Sequence, residues 1–258
     1  MNNKNVLLIG ASQGIGKALA EEFAVNKYRL VLLSRNVDGI KSISSEIVSK
    51  GGICSYKGCD VSDYEQVKDG IEFAHRQLGL IDIAIINAGI GHPEWMSSFS
   101  SAGYREVMQT NAFGIAHALE FLIPIMKKQG YGKFVGVSSL ADVRGYMGSA
   151  AYASSKAAAS LLLESARVEL KESNINVITV KPGFVKTAMT AQNEFKMPFM
   201  WSPEKAARFI RKGIERNKSI VQFPFPIVWA TKIIKNLPNW IYDPLMRASR
   251  PAKKKDSN

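Results

Sequence analysis

Apolar runs of strand length alternate with helix-period stretches along most of this chain, and that alternation restricts its fold more than any single motif. Val6–Ile9, Leu30–Leu33, Ile53–Lys57, Ile81–Ile86, Phe134–Val137 and Val177–Val180 read as strands. Between them Lys17–Asn26, Ile40–Val48, Tyr64–Leu78, a long stretch around Tyr104–Lys128 and a stretch from about Ala150 to Lys171 read as helices. Nearly uninterrupted apolar strands belong to a parallel sheet covered on both faces. Right-handed crossovers then wind the chain into an α/β fold, one doubly wound parallel sheet with helices on both sides. No internal repeat, low-complexity tract or linker appears before the tail, so a single domain is expected. A chain of 258 residues buries enough surface to need no metal or disulfide staple.

With 46% hydrophobic and 22% charged residues, the composition excludes a disordered, collagen-like or disulfide-scaffold chain. The net charge of +12 is unevenly placed: residues 1–200 hold 21 Lys and Arg against 18 Asp and Glu, and residues 201–258 hold 13 against 4. The main body is therefore nearly neutral. With no motif that reads bases, specific nucleic-acid binding is not expected. Cys54 and Cys59 on an extended segment would stand roughly 16 Å apart, beyond disulfide reach. The amino terminus lacks the apolar core and cleavage site of a signal peptide, and no run reaches the length of a membrane span. A reduced cytoplasmic protein is the expectation.

Gly10-Ala11-Ser12-Gln13-Gly14-Ile15-Gly16 follows the first strand and opens the first helix. Glycines there allow a tight turn and close backbone approach, and the helix terminus offers free N–H groups to a pyrophosphate. Such a loop could be an ordinary strand-to-helix turn, but its position in the first βα unit points to a Rossmann-type sheet and a dinucleotide ligand. An Asp or Glu at the end of the second strand would bind both ribose hydroxyls and repel a 2′-phosphate. Ser34-Arg35-Asn36 stands there instead. A hydroxyl and a guanidinium suit a phosphate monoester, so NADP(H) is expected in preference to NAD(H). Asp38 falls too late for the ribose position unless a shifted loop brings it near.

Tyr152 and Lys156 lie at i and i+4 of a helical stretch and so share a face. An ammonium beside a phenol is expected to lower its pKa toward the range of acid–base work. Ser139, thirteen residues earlier, stands at the carboxyl end of a strand, where open α/β folds bind ligands; a serine there could equally be a helix cap. Taken together, these residues resemble the short-chain dehydrogenase/reductase family over residues 4 to about 222. The glycine loop, Asn87-Ala88-Gly89, Asn111, Ser139, Tyr152, Lys156 and Pro182-Gly183 occur in the family's order and spacing.

The resemblance implies hydride transfer between a nicotinamide and a carbonyl or alcohol carbon. Tyr152 would be the proton donor, Ser139 would hydrogen-bond the carbonyl oxygen, and Lys156 would bind the nicotinamide ribose. Asn111 would hold a proton-relaying water. It also places Asp60-Val61 at the adenine and Val185 and Thr187 at the nicotinamide amide. A non-catalytic nucleotide-binding scaffold is the alternative on such a fold, and the intact set of four residues argues against it. Fold-level likeness implies a homodimer or homotetramer, with the Ala150–Lys171 helix and its Ala157-Ala158-Ala159-Ser160 run as an interface or as a contact with the sheet.

The family's substrate lid corresponds to the segment between Pro182 and Ser202, which here carries Met189, Phe195, Met197, Phe199, Met200 and Trp201. With Tyr146 and Met147 these could wall an adaptable apolar cavity or pack in the core. A bulky apolar or lipid-like carbonyl or secondary alcohol is the expected substrate. His75, His92 and His117 offer no metal spacing.

The domain is expected to occupy residues 1–222 and a basic amphipathic extension residues 223–258. Ile227–Asn236 reads as a helix stopped by Pro238, and Trp240–Ala248 as a shorter one. Ile227, Ala230, Ile234, Leu237, Ile241 and Leu245 recur every three or four residues, beside Trp229 and Trp240. Lys232, Lys235, Arg247, Arg250 and Lys253-Lys254-Lys255 supply charge. The extension would lie on an anionic membrane surface, on the inner face of the membrane, or fold over the cavity or against a second subunit.

Overall fold

In the computed structural model, residues 4–191, 193 and 195–248 are described. Seven parallel strands form one sheet: β1 (Asn5–Ile9), β2 (Arg29–Ser34), β3 (Ile53–Gly58), β4 (Ile83–Ile86), β5 (Gly132–Val137), β6 (Ile175–Pro182) and β7 (Ile220–Phe223). Their order is β3-β2-β1-β4-β5-β6-β7. The order reverses between β1 and β4, so the loops leaving these two strands diverge and open a crevice at the carboxyl edge of the sheet. Val6 pairs with both Leu30 and Ile83, and Ile9 with both Leu33 and Ile86.

Successive strand residues point to opposite faces, which is why both alternate sets must be apolar. Val6, Leu8, Leu30 and Leu32 join Leu19, Phe23, Ile40 and Ile210 in one core. Leu7, Ile9, Val31 and Leu33 join Val67, Ile71, Leu122 and Leu163 in the other. The first is covered by α1 (Gly14–Val25), α2 (Val37–Ser49) and α8 (Pro203–Glu215), the second by α3 (Tyr64–Leu78), α5 (Gly114–Gln129) and α6 (Ala150–Glu169). Each large side chain fully buried in these layers contributes about 1.5–3 kcal/mol.

The expected long helix around Tyr104–Lys128 is built in three parts. α4 (Ser101–Met108) runs through a π turn, Gln109–Phe113, into α5. Between α6 and β7 lie a short α7 (Ala188–Ala191) and α8. Ser202 caps α8 by accepting from the Lys205 N–H at 3.2 Å, and Pro203 begins it.

The extension forms α9 (Phe225–Asn236) and α10 (Asn239–Ala248). α9 packs on the 3-10 turn Leu140–Val143. Its inward side is Val228 and Thr231, with Ile227 and Ile234 half-buried, whereas Ala230 of the expected apolar stripe is exposed. Arg250 and Lys253–Lys255 lie outside the described residues. No described helix is long and apolar enough to cross a membrane. Both cysteines are free thiols. On α6, Ala159 is buried in the core and Ser160 hydrogen-bonds Ser138, so half of the small-residue run serves the sheet.

Candidate active site

Parallel strands carry all their carboxyl ends to one edge, and there the loops after β1, β2, β4, β5 and β6 enclose a cleft of about 320 Å³. β1 leaves the sheet at Gly10, whose φ is +85° and where a Cβ would stand 2.4 Å from the Ala88 nitrogen. A Cβ on Gly16 would stand 2.0 Å from the Gly10 oxygen. Only glycine lets the start of α1, the exit of β1 and the Asn87-Ala88-Gly89 turn meet backbone to backbone. Asn87 ties them by donating from Nδ2 to the Gly10 carbonyl at 2.8 Å. Gln13, the residue before α1, makes no side-chain capping bond. The first-turn N–H groups therefore face a cleft lined by Ser12, Gln13, Gly14 and Ile15, a cradle that fits a pyrophosphate.

At the end of β2 the Ser34 hydroxyl donates to Ser12 Oγ at 3.0 Å and accepts from the Asn36 N–H at 3.3 Å. Asn36 Oδ1 in turn caps α2 through the Gly39 N–H at 2.9 Å. Arg35 lies at the rim with Nη1 3.5 Å from Asp60 Oδ2, while Asp60 Oδ1 accepts from the Ser62 N–H and hydroxyl. Ser34, Arg35 and Asn36 all line the cleft, and Asp38 sits in the first turn of α2 instead. Val61 lines the cleft directly, and Asp60 braces Arg35 from outside it.

Ser139, Tyr152 and Lys156 converge on the cleft from β5 and α6. Ser139 is nearly buried, and its Oγ accepts from the Ala141 N–H at 3.1 Å; it caps the 3-10 turn and faces the cleft at once. The Lys156 ammonium donates to the Val137 carbonyl at 3.0 Å and stands 5.7 Å from the centre of the Tyr152 ring.

The expected lowering of the Tyr152 pKa by Lys156 does not hold in this site. Burial holds the phenol above its ordinary value, and the hydrogen bond with Ser139 pulls it only part of the way back. Burial also pushes Lys156 down to about 8, with the Asp142 carboxylate opposing that shift. Desolvation outweighs the neighbouring charge here. The site thus holds a protonated phenol beside a hydroxyl, the form that can donate a proton to a developing alkoxide.

Asn111 occupies the middle of the π turn, completely buried. Its Oδ1 accepts from the Ile90 N–H at 2.8 Å, and its Nδ2 donates to the Ile90 carbonyl at 2.8 Å and to Ser155 Oγ at 2.9 Å. The side chain clamps the loop after Asn87-Ala88-Gly89 to the helix bearing Tyr152. A local π turn is a common way to aim one side chain at a functional site.

From β6, Pro182, Gly183, Val185, Thr187 and Met189 line the cleft. Thr190 secures this loop by donating to the Val185 carbonyl at 2.7 Å. Tyr146, Met147 and Phe195 stand outside the cleft walls. Met147 is exposed and Phe195 packs edge-on against Phe184. Burial raises the Tyr146 phenol to about 12, with Tyr242 and Asp142 adding to the rise. Trp201 belongs to the core, stacked on Phe223 at 4.7 Å.

One polar cluster was not expected from the sequence. Asp142 accepts from Ser160 Oγ and pairs with Lys181 Nζ at 2.7 Å, and Ser160 continues through Ser138 to the Lys156 carbonyl. The Asp142 side chain is only 2% exposed, and its Oδ1 has no hydrogen-bond partner among the described residues. Its three-residue distance from Ser139 was the one available signal.

Residues 4–197 match the family model described as short chain dehydrogenase. An uncharacterized oxidoreductase of Myxococcus xanthus is 33% identical over 250 residues, 97% of this chain and 99% of that protein. A 7α-hydroxysteroid dehydrogenase of Escherichia coli is 32% identical over 202 residues, 76% of this chain and 79% of its own length. Among solved structures, an alcohol dehydrogenase from Thermococcus sibiricus complexed with 5-hydroxy-NADP superposes with a TM-score of 0.78 at 25% identity, covering 86% of this chain and 95% of that one. A Burkholderia phymatum protein in complex with NAD gives 0.84 at 19% identity over 97% and 96% of the two chains, a likeness of fold.

Proposed function

Since this chain belongs to the short-chain dehydrogenase/reductase family, we propose that it interconverts a bulky apolar ketone and a secondary alcohol with NADP(H). The observation that carries the reading is the convergence of Ser139, Tyr152 and Lys156 on the same cleft as the glycine loop. When bound, a nicotinamide supplies the hydride. The chain's own residues do the rest. The first turn of α1 receives the pyrophosphate, Ser139 hydrogen-bonds the carbonyl oxygen as charge builds on it, Tyr152 delivers the proton, and Asn111 and Lys156 keep the two loops and α6 in register.

Preference for NADP(H) rests on Ser34 and Arg35 at the cleft rim and on the lack of a carboxylate at the end of β2. A 2′-phosphate would draw Arg35 from its weak pairing with Asp60, since an exposed ion pair at 3.5 Å is worth about 1 kcal/mol or less. The apolar substrate class is supported by Met189 in the wall and by the hydroxysteroid activity in the name of the Escherichia coli relative. Exposed Leu161 and Val168 on α6 suit assembly as a homodimer or homotetramer.

The test is turnover of a panel of ketones with NADPH and NADH, paired with cofactor fluorescence titration. Tyr152→Phe should reduce turnover by roughly a thousandfold or more while leaving NADPH affinity within about twofold. Retention of more than a few per cent of activity by that variant would overturn the assignment. Tighter NADH than NADPH binding would overturn the cofactor preference, and faster turnover of a short sugar than of any long-chain carbonyl would overturn the substrate class.

A further inference from the structure

α9 has a second face that the described residues leave uncovered. With 100° between successive residues, Phe225, Trp229 and Ile233 form one ridge on its outer side, and they are 72%, 51% and 61% exposed. The Phe225 and Trp229 rings meet edge-on at 6.0 Å, and the Lys232 ammonium lies 5.1 Å from the Trp229 ring centre. On α10, Trp240 is 77% exposed, and Ile241 and Leu245 are exposed as well.

The body holds these helices in place. Arg144 donates from Nη1 to the Ile234 and Leu237 carbonyls and from Nη2 to Asn239 Oδ1 at 2.6 Å, and its guanidinium stacks 3.8 Å from the Tyr242 ring centre. The Tyr242 hydroxyl donates to the Gly145 carbonyl. Two folded helices therefore present large aromatic side chains outward when nothing in their own packing requires it.

We propose that the α9–α10 surface docks on an anionic lipid bilayer, with Phe225, Trp229, Ile233 and Trp240 entering the headgroup region and Lys232 and Lys235 meeting lipid phosphates. Charge decides the occupant. Among the described residues, α9 and α10 carry Lys232, Lys235 and Arg247 against Asp243 alone. A second copy applying the same face would set like charges against each other, whereas an anionic leaflet attracts them. Indole rings suit the boundary between headgroup and acyl chain, being apolar in body with one polar N–H. Lys232 and Lys235 flank the ridge on one side, where long stems let the ammonium groups reach phosphate while the ridge sinks. This surface is independent of the catalytic reading and stands or falls without it.

The experiment is co-sedimentation of the full chain with phosphatidylglycerol–phosphatidylcholine vesicles and with phosphatidylcholine vesicles, in low and high salt. Tryptophan quenching by brominated lipid and light scattering of the free protein accompany it. Binding should require phosphatidylglycerol, and the bound protein should be quenched. Trp229→Ser with Trp240→Ser should weaken binding by roughly tenfold, and Lys232→Gln with Lys235→Gln by roughly fivefold or more. Both double variants change exposed side chains, and retained melting temperature shows that they fold.

No binding to phosphatidylglycerol vesicles overturns the proposal. So does binding that salt abolishes but the tryptophan variant leaves intact, because that is attachment by the basic tail alone. A dimer of the unmodified chain that the tryptophan variant converts to monomers assigns the face to a second copy and overturns it too.

Discussion

Among the described residues, Lys156 has one hydrogen-bond acceptor, the Val137 carbonyl, and one carboxylate that favours its charge, Asp142. In the proposed reaction Asp142 would act as a positioning residue for the proton chemistry, although it stands behind the cleft wall and not in it. With Lys156 held down to about 8, the ammonium is lost as pH rises through that value, and with it the support for a phenolate left on Tyr152 after proton donation. Reductive kcat/KM, which reports groups of the free enzyme, should fall on an alkaline limb with its midpoint at about 8. The Asp142 charge raises the Lys156 pKa, so Asp142→Asn should move that limb to lower pH and cost roughly two- to tenfold in kcat/KM at the original midpoint. A lower plateau with the midpoint unmoved would reduce Asp142 to a purely structural part. The phenol itself shows how far residues are legible in a sequence. The Tyr152–Lys156 spacing correctly puts both on one face of α6, but the sign of the Tyr152 shift depends on how much protein surrounds it, and four-residue spacing carries no information about burial.

At the scale of elements, the extension hangs on Arg144. One guanidinium serves two carbonyls and an amide oxygen while stacking on Tyr242. Hydrogen bonds to a charged group contribute about 1.5–3 kcal/mol each. Arg144→Ala should raise the rate of protease cleavage within residues 225–248 by at least roughly tenfold. Arg144→Lys should fail to rescue it, since an ammonium lacks the planar fork that spans these acceptors. Unchanged cleavage in Arg144→Ala would show that Val228 and Tyr242 hold the helices by themselves.

The same scale separates what could be read from what could not. β1, β2, β4, β5 and β6 are buried on both faces, so their apolar runs stand out. β7 is four residues at the sheet edge with Gln222 in it, too short and mixed to rise above a loop. α8 did carry signals, a Ser202 cap, Pro203 and a buried Ala206, Ala207, Ile210, Ile214 face, that the strand–helix alternation passed over. The π turn left none, because a hydrogen bond that skips one further residue changes no composition; Asn111 could be placed in the site only by family likeness.

For the whole molecule, the crevice at the strand-order reversal couples cofactor to global stability. A ligand at a hundred times its dissociation constant adds about 2.7 kcal/mol, and a domain of this size gains roughly 2–4 °C per kcal/mol. NADPH should therefore raise the melting temperature by roughly 5–10 °C, and by more than NADH at equal concentration if Ser34 and Arg35 bind the 2′-phosphate. Equal shifts would remove that preference. Charge placement was legible at this scale because it needs only counting, whereas the docking of the extension was not, since it depends on a guanidinium 81 residues before α9 begins. That tie has a thermodynamic corollary. Arg144 follows directly on the turn that Ser139 caps, so a ligand that tightens this turn and the docking of α9 and α10 are linked equilibria. Linkage is reciprocal: by whatever factor a cleft ligand suppresses release of the extension, release of the extension must weaken that ligand.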